Sequence, residues 1–176
     1  QSPHYGRLVN DRAFGRVTSY LAQGKILVGG RTDPSDRYIE PTLLAEVDPG
    51  APVMQEEIFG PVLPMLPFDD IREAVTLVND REKPLALYYF GPEKTGREVL
   101  LHTSSGGACI NDTIMQIAND RLPFGGVGNS GMGRYHGHDS FDAFSLRRGV
   151  VESPARPDLP LRYPPYKGFR WVKKIL

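Results

Sequence analysis

The 176 residues carry 21 basic and 21 acidic side chains, a net charge of zero, so no field of one sign draws the chain to nucleic acid or to an anionic membrane. One cysteine, Cys109, excludes an internal disulfide and suits a reducing compartment, with the cytoplasm as the expected location. No apolar run approaches the roughly 20 residues a membrane helix needs, so no membrane span is expected. The start, Gln1-Ser2-Pro3-His4-Tyr5, has no signal-peptide pattern, and the closing Lys173-Lys174-Ile175-Leu176 reads as a solvated basic tail.

In chain order, Leu8, Val9, Phe14, Val17, Tyr20 and Leu21 recur at a spacing nearer 3.6 than 2, which predicts a helix from about Asp11, capped by Asp11 and ended by Gly24. Residues 25–29 and 38–47 read as strands around Asp33-Pro34-Ser35-Asp36, whose turn chemistry makes an antiparallel excursion. Residues 52–57 suit a short helix with proline in its first turn. Next comes an alternation: strand 62–68, helix 71–79, strand 86–90, helix 93–103, strand 107–110. Asp69 or Asp70 caps the first of these helices, and its stripe of Ile71, Ala74, Val75 and Val78 has to bury against a sheet. The implied fold class is α/β, a parallel sheet of βαβ units covered on both faces. After Asn111 the chain turns irregular and glycine-rich to about His138, and residues 141–151 read as a helical turn running into a strand. Pro154, Pro157, Pro160, Pro164 and Pro165 then predict an extended arm.

The most informative stretch is Met54-Gln55-Glu56-Glu57-Ile58-Phe59-Gly60-Pro61-Val62. Gly60 permits backbone angles that other residues resist, and Pro61 fixes the entry into the following strand. The turn is expected to hold Glu57 and Phe59 at a strand end, where open α/β sheets place their ligands. There a carboxylate accepts hydrogen bonds from a ribose diol, and a phenyl ring lies against a flat heterocycle. On the residues alone, a helix end with solvated Glu56 and Glu57 and a core Phe59 stands beside this reading.

Glu56-Glu57-Ile58-Phe59-Gly60-Pro61-Val62 resembles a segment of the NAD(P)-dependent aldehyde dehydrogenases. So, in the same order, do Pro84-Leu85-Ala86-Leu87-Tyr88, Ser104-Ser105-Gly106-Gly107, Asn111-Asp112, the run from Leu122 to Gly133, and Tyr135-His136-Gly137. With Arg162-Tyr163-Pro164-Pro165-Tyr166 the resemblance leans to the class 3 and coniferyl-aldehyde branch and spans nearly the whole chain. It implies that residues 1–140 are the C-terminal portion of a catalytic domain and 141–176 an oligomerisation strand with a proline-rich tail that crosses onto a partner subunit. It further implies that Glu57 binds the nicotinamide ribose of NAD or NADP and that Phe59 lies beside the nicotinamide ring. Ile114, Ile117, Ala118, Phe124 and His136 would line the entrance for an apolar aldehyde; loop residues packed on one another are the alternative.

Three other features tempt. Gly126-Val127-Gly128-Asn129-Ser130-Gly131 matches a dinucleotide fingerprint to the letter, but that motif needs a strand before it and a helix after it, and the glycines here predict a tight structural loop. Cys109 sits in an apolar, strand-like run with no neighbouring cation, so it reads as a core thiol. In the family it resembles, the nucleophile lies further upstream of the Glu56-Glu57 segment than the available residues reach, and neither it, the general-base glutamate nor the oxyanion-hole asparagine has a match. His136 and His138 lack the cysteine or carboxylate pattern that would complete a metal site, so none is expected.

The sequence therefore predicts part of an oxidoreductase that converts aldehydes to carboxylic acids, supplying nicotinamide-side and substrate-entrance residues without the nucleophile, and inactive alone. A stand-alone interaction module of the same fold and a small mononucleotide-binding domain are the alternatives. Homo-oligomerisation through the strand and arm is expected, as is self-association of an uncovered sheet.

Overall fold

The computed structural model describes residues 2–154, 163–165 and 173. The chain forms two compact units, Gln1–Arg81 and Glu82–Leu176.

In the first unit, helix α1 (Asp11–Tyr20) presents Phe14, Val17 and Tyr20 on its buried face. Asn10, not Asp11, is its cap: the extended backbone of Asn10 lets Oδ1 accept from the Ala13 amide at 2.8 Å. Asp11 falls in the first turn, where its carboxylate meets the positive end of the helix dipole. The helix also stops before Gly24, at Leu21, whose amide turns back to the Thr18 carbonyl. Gly24 is small for another reason, since a Cβ there would lie 2.7 Å from the Ala45 carbonyl oxygen.

Strands β1 (Lys25–Val28), β2 (Thr32–Asp33), β3 (Tyr38–Ile39) and β4 (Thr42–Ala45) make the antiparallel excursion. The single run expected over 38–47 is broken by Glu40-Pro41, because proline offers no amide to a ladder. One piece pairs with β2 and the other with β1. The turn between β2 and β3 is a 3-10 helix, Pro34–Asp36, capped by Asp33. A second 3-10 helix, Pro52–Met54, replaces the longer helix expected to Glu57. β5 (Val62–Pro64) is shorter than predicted and lies parallel to β4, giving the order β1-β4-β5.

Val17, Ile39 and Leu44 are fully buried, and with Phe14, Tyr20, Val47, Val53 and Val62 they form one apolar core. Each such side chain contributes about 1.5–3 kcal/mol of transfer free energy. Helix α2 (Ile71–Asn79) is capped by Asp70, one of the two candidates, but its stripe is only half-buried.

The second unit contains a complete βαβ crossover: β6 (Ala86–Tyr89), helix α3 (Glu93–His102) and β7 (Gly107–Ile110), with β6 and β7 parallel and in register from Ala86–Gly107 to Tyr89–Ile110. The sequence reading of one continuing parallel sheet requires correction, because β5 pairs with β4 and β6 with β7 in separate sheets. Among the described residues the expected cover on both faces is only partial: β6 and β7 are at most half-buried. Among the described residues of this unit, Val99 on α3 is the one buried large hydrophobe. Two strands and a helix enclose too little apolar surface to close a core.

Beyond Ile110 come a single turn, α4 (Met115–Ala118), the glycine-rich loop, and α5 (Gly137–Ala143). No strand follows α5 among the described residues, although one is expected there: Phe144, Leu146, Val150 and Val151 stand exposed, and no ladder neighbour is found for them among the described residues. Most of the proline-rich arm, at 155–162 and 166–172, lies outside the described residues, as does the end at 174–176. Among the described residues no helix is long and apolar enough to cross a membrane.

Candidate functional site

The acidic pair is split into two roles. Glu56 Oε2 accepts from the Tyr20 hydroxyl at 3.1 Å, with Arg16 Nη1 3.9 Å away. For the Glu57 carboxylate no partner is found among the described residues; instead Arg16 Nη1 donates to its backbone carbonyl at 3.1 Å and Nη2 to that of Ile58 at 2.9 Å. Helix α1 thus holds the main chain of the turn and leaves one carboxylate facing solvent.

Phe59 follows with its backbone in the left-handed region, φ 47°, and its ring 79 % exposed. For a residue with a bulky side chain that conformation costs roughly 1–2 kcal/mol, so the turn holds an apolar ring in water at some strain. The reading that puts Phe59 in the core does not hold. Nor is Gly60 the residue with unusual backbone angles: positive φ belongs to Phe59, whereas a Cβ on Gly60 would lie 2.8 Å from Val17 Cγ1. Gly60 is required because α1 packs directly on the turn. Phe59, Gly60 and Pro61 form one wall of a groove of ≈ 520 Å³, completed by residues 5–9 and by Ala13 and Arg16 of α1.

In the second unit, Ile117 and Ala118 lie on the single turn of α4 and Ile114 immediately before it; all three are exposed, Ile114 by 61 % and Ile117 by 36 %. Ile114 has φ 66°, an outlier for a β-branched residue. Phe124 and His136 come together: a two-way backbone bridge joins Phe124 to Tyr135, and the His136 ring stacks on Phe124 at 5.8 Å between centroids. His136 has φ 99°, its backbone amide donates to Ser140 Oγ at 2.9 Å, and its buried Nδ1 has no hydrogen-bond partner among the described residues. Phe59, Ile114 and His136 are thus three of the six non-glycine residues with positive φ among those described. Strain of this kind collects where a fold presents side chains for use.

The glycine-rich loop lacks both flanks of a phosphate site. It is a 3-10 turn, Gly128–Ser130, closed by Ser130 Oγ, which accepts from the Val127 amide and donates to its carbonyl. A Cβ on Gly126 would strike the Ser130 carbonyl oxygen at 2.1 Å and one on Gly125 that of Gly133 at 2.2 Å. The space a phosphate would need is filled by the loop's own carbonyls, which repel an anion. Cys109 on β7 is half-buried, and its thiol donates to Gln116 Oε1 at 2.9 Å. No group of three metal-binding side chains occurs among the described residues.

Sequence reasoning gave no role to Arg16, Gln116 or Asn111, although Asn111 falls in one of the resembling motifs. Asn111, at φ 57°, accepts from the Gly91 amide and donates to the Gly91 carbonyl, extending the end of β7 by one side-chain rung. Gln116 is nearly buried, 9 % exposed, and joins Cys109 to the Tyr88 hydroxyl. The available signal for Gln116 was a lone polar residue between Met115 and Ile117; for Arg16 it was only the spacing of four to Tyr20, since its other partners are carbonyls some 40 residues away.

The profile of the aldehyde dehydrogenase family matches residues 1–150. The 4,4'-diaponeurosporen-aldehyde dehydrogenase of Staphylococcus aureus is 48 % identical over 98 % of this chain, which spans 39 % of that protein. The dimeric NADP-preferring aldehyde dehydrogenase of Rattus norvegicus is 52 % identical over 94 %, and here the chain spans 37 % of the relative. Among solved structures, the substrate-bound state of Staphylococcus aureus AldH superposes with a TM-score of 0.84 at 47 % identity, over 99 % of this chain and 39 % of that one. The Mycobacterium tuberculosis aldehyde dehydrogenase complexed with NAD+ gives 0.70 at 31 %, over 79 % of this chain and 30 % of that one. With the family profile covering most of its length and its fold shared with solved members, this chain belongs to the aldehyde dehydrogenase family.

Proposed function

We propose that this chain is the C-terminal part of an enzyme that oxidises aldehydes to carboxylic acids, with Glu57 and Phe59 serving the nicotinamide half of NAD or NADP. The observation that carries the proposal is the division of labour at the turn: Arg16 takes the backbone of Glu57 while its carboxylate stays open, and the ring of Phe59, two residues on, is held out in solvent. An open carboxylate beside a displayed ring fits a ligand that offers a sugar diol and a flat heterocycle. A nicotinamide held by these residues would supply the hydride acceptor for oxidation of the aldehyde carbon. In this chain Glu57 orients the ribose and Phe59 limits where the ring can lie. Ile114, Ile117, Ala118, Phe124 and His136 form the apolar approach for the aldehyde.

The nucleophile is assigned to the part of the enzyme outside these residues, because the one thiol in this chain is a hydrogen-bond donor within a β–α4 contact. Residues 1–140 then belong to the catalytic domain, and 141–176 to a strand and arm that pair with a second copy; the exposed Leu146, Val150 and Val151 suit that pairing. The same exposed run supports a second reading, a non-catalytic module that docks on related subunits. A reducing cytoplasm suits Cys109 as a thiol.

A chimera separates these readings: the 176 residues replace the matched 39 % of the Staphylococcus aureus relative. NAD(P)-dependent aldehyde oxidation is expected, with kcat reduced roughly 10- to 100-fold by Glu57→Gln or Phe59→Ala. Cys109→Ser should retain turnover. Full activity in the first two variants, or none in the third, overturns the proposal; a folded but inactive chimera favours the module.

A further inference from the structure

The aldehyde approach proposed above rests on a helix of one turn, α4, which is too short to hold its own shape in water. Its first residue follows Ile114, whose left-handed backbone adds strain at the point of entry. Something else must fix this turn, and one side chain does. Gln116 points inward between the outward Met115 and Ile117: its Oε1 accepts from Cys109 Sγ at 2.9 Å and its Nε2 donates to Tyr88 Oη at 3.0 Å. The amide therefore clasps β6 and β7 at once. Gly107, on β7, leaves the room for it, since a Cβ there would come to 3.1 Å from Gln116 Cγ.

Resting on the proposed function, we infer that Gln116 is a positioning residue whose bridge to Tyr88 and Cys109 fixes where Ile114 and Ile117 stand, and with them the size of aldehyde the enzyme prefers. A buried amide is suited to this task. Apolar contacts allow a short helix to slide or rotate, whereas a primary amide with both ends bonded accepts one placement, and each alternative leaves a desolvated donor or acceptor unpaired. Methionine in its place would fill the same volume without specifying the position.

The test has two arms. In the 176-residue chain itself, amide exchange is followed at Ile117, Ala118 and Asn119, whose N–H groups donate to Ile114 and Met115 carbonyls. Tyr88→Phe and Gln116→Met should each speed exchange there about tenfold or more, with α1 unaffected. In the chimera, the ratio of kcat/KM for a bulky aromatic aldehyde to that for propanal should shift about tenfold in both variants, chiefly through KM for the larger aldehyde. The double variant Gln116→Met with Tyr88→Phe leaves only the Cys109 thiol, a weak donor, without its partner, so it should recover most of the thermal stability yet keep the altered ratio. Cys109→Ser, which retains a donor for Oε1, should stay near the parental ratio while Cys109→Ala departs from it. Unchanged exchange, or an unchanged ratio in an active chimera, overturns this inference and leaves the function standing. A parental chimera that folds but oxidises no aldehyde removes the function, and this inference with it.

Discussion

Arg16 grips the main chain of Glu57 and not its carboxylate: the guanidinium reaches the Glu57 and Ile58 carbonyls at 3.1 and 2.9 Å, while the neighbouring Glu56 side chain is bound by Tyr20. A turn organised in this way can lose its ligand-facing groups without losing its shape. It cannot lose Arg16.

Arg16→Met should therefore destabilise the first unit by about 1–3 kcal/mol, since two carbonyls and the Tyr20 hydroxyl lose a charged donor. Urea unfolding followed by circular dichroism reads this as a lower midpoint. Arg16→Lys should restore less than half, because a single ammonium cannot serve two carbonyls in parallel. An unchanged midpoint would mean the turn supports itself.

Gly60→Ala places a methyl 2.8 Å from Cγ1 of the fully buried Val17. Overpacking of this kind costs about 1–3 kcal/mol. Val17→Ala opens a cavity at the same point, so the double variant should be less destabilised than the sum of the singles, with a coupling of at least about 0.5 kcal/mol in a thermodynamic cycle. Strict additivity would show that the backbone moves aside instead.

Phe59→Gly should cost the fold nothing measurable, or stabilise it by up to about 1 kcal/mol, because it relieves a left-handed phenylalanine and withdraws an exposed ring. In the chimera the same change should reduce kcat. That combination marks a residue kept for use at the expense of stability. A clear loss of stability would instead make the ring structural.

Asp70 is held down to about 2 by the side-chain hydrogen bonds from Arg72 and then by the Arg72 backbone amide, which its carboxylate also caps. A folded value below the unfolded one near ~3.9 means the carboxylate stabilises α2 fully above about pH 4 and loses that contribution as pH falls through about 2. Carboxyl carbon shifts followed by NMR should show the depressed midpoint. In Asp70→Asn, which keeps a capping oxygen, stability should lose this part of its pH dependence; a midpoint at the ordinary carboxylate value would remove the argument.

Most helices and strands were legible because their causes are local: α2 and β7 have the predicted boundaries, and of the two candidates Asp69 and Asp70 it is Asp70 that caps. Where two adjacent residues competed, as Asn10 and Asp11 did, backbone angles decided, and these depend on how the chain enters the helix. Strand partnership was not legible. Nothing local distinguishes β5 running on into a sheet with β6 from β5 pairing with β4, since that choice is made by residues far apart along the chain.

From sequence alone came the ordered motifs, the family they resemble, and the pair Glu57 and Phe59, because chemistry and spacing are written in residue order. The tertiary structure alone decided that Gly60 serves Val17, that Glu56 is taken and Glu57 open, and that Gln116 faces inward to Tyr88 and Cys109. Each of these depends on a contact between residues distant in the chain, or on which side of a turn faces a neighbour. Packing decides them, and no local pattern encodes it.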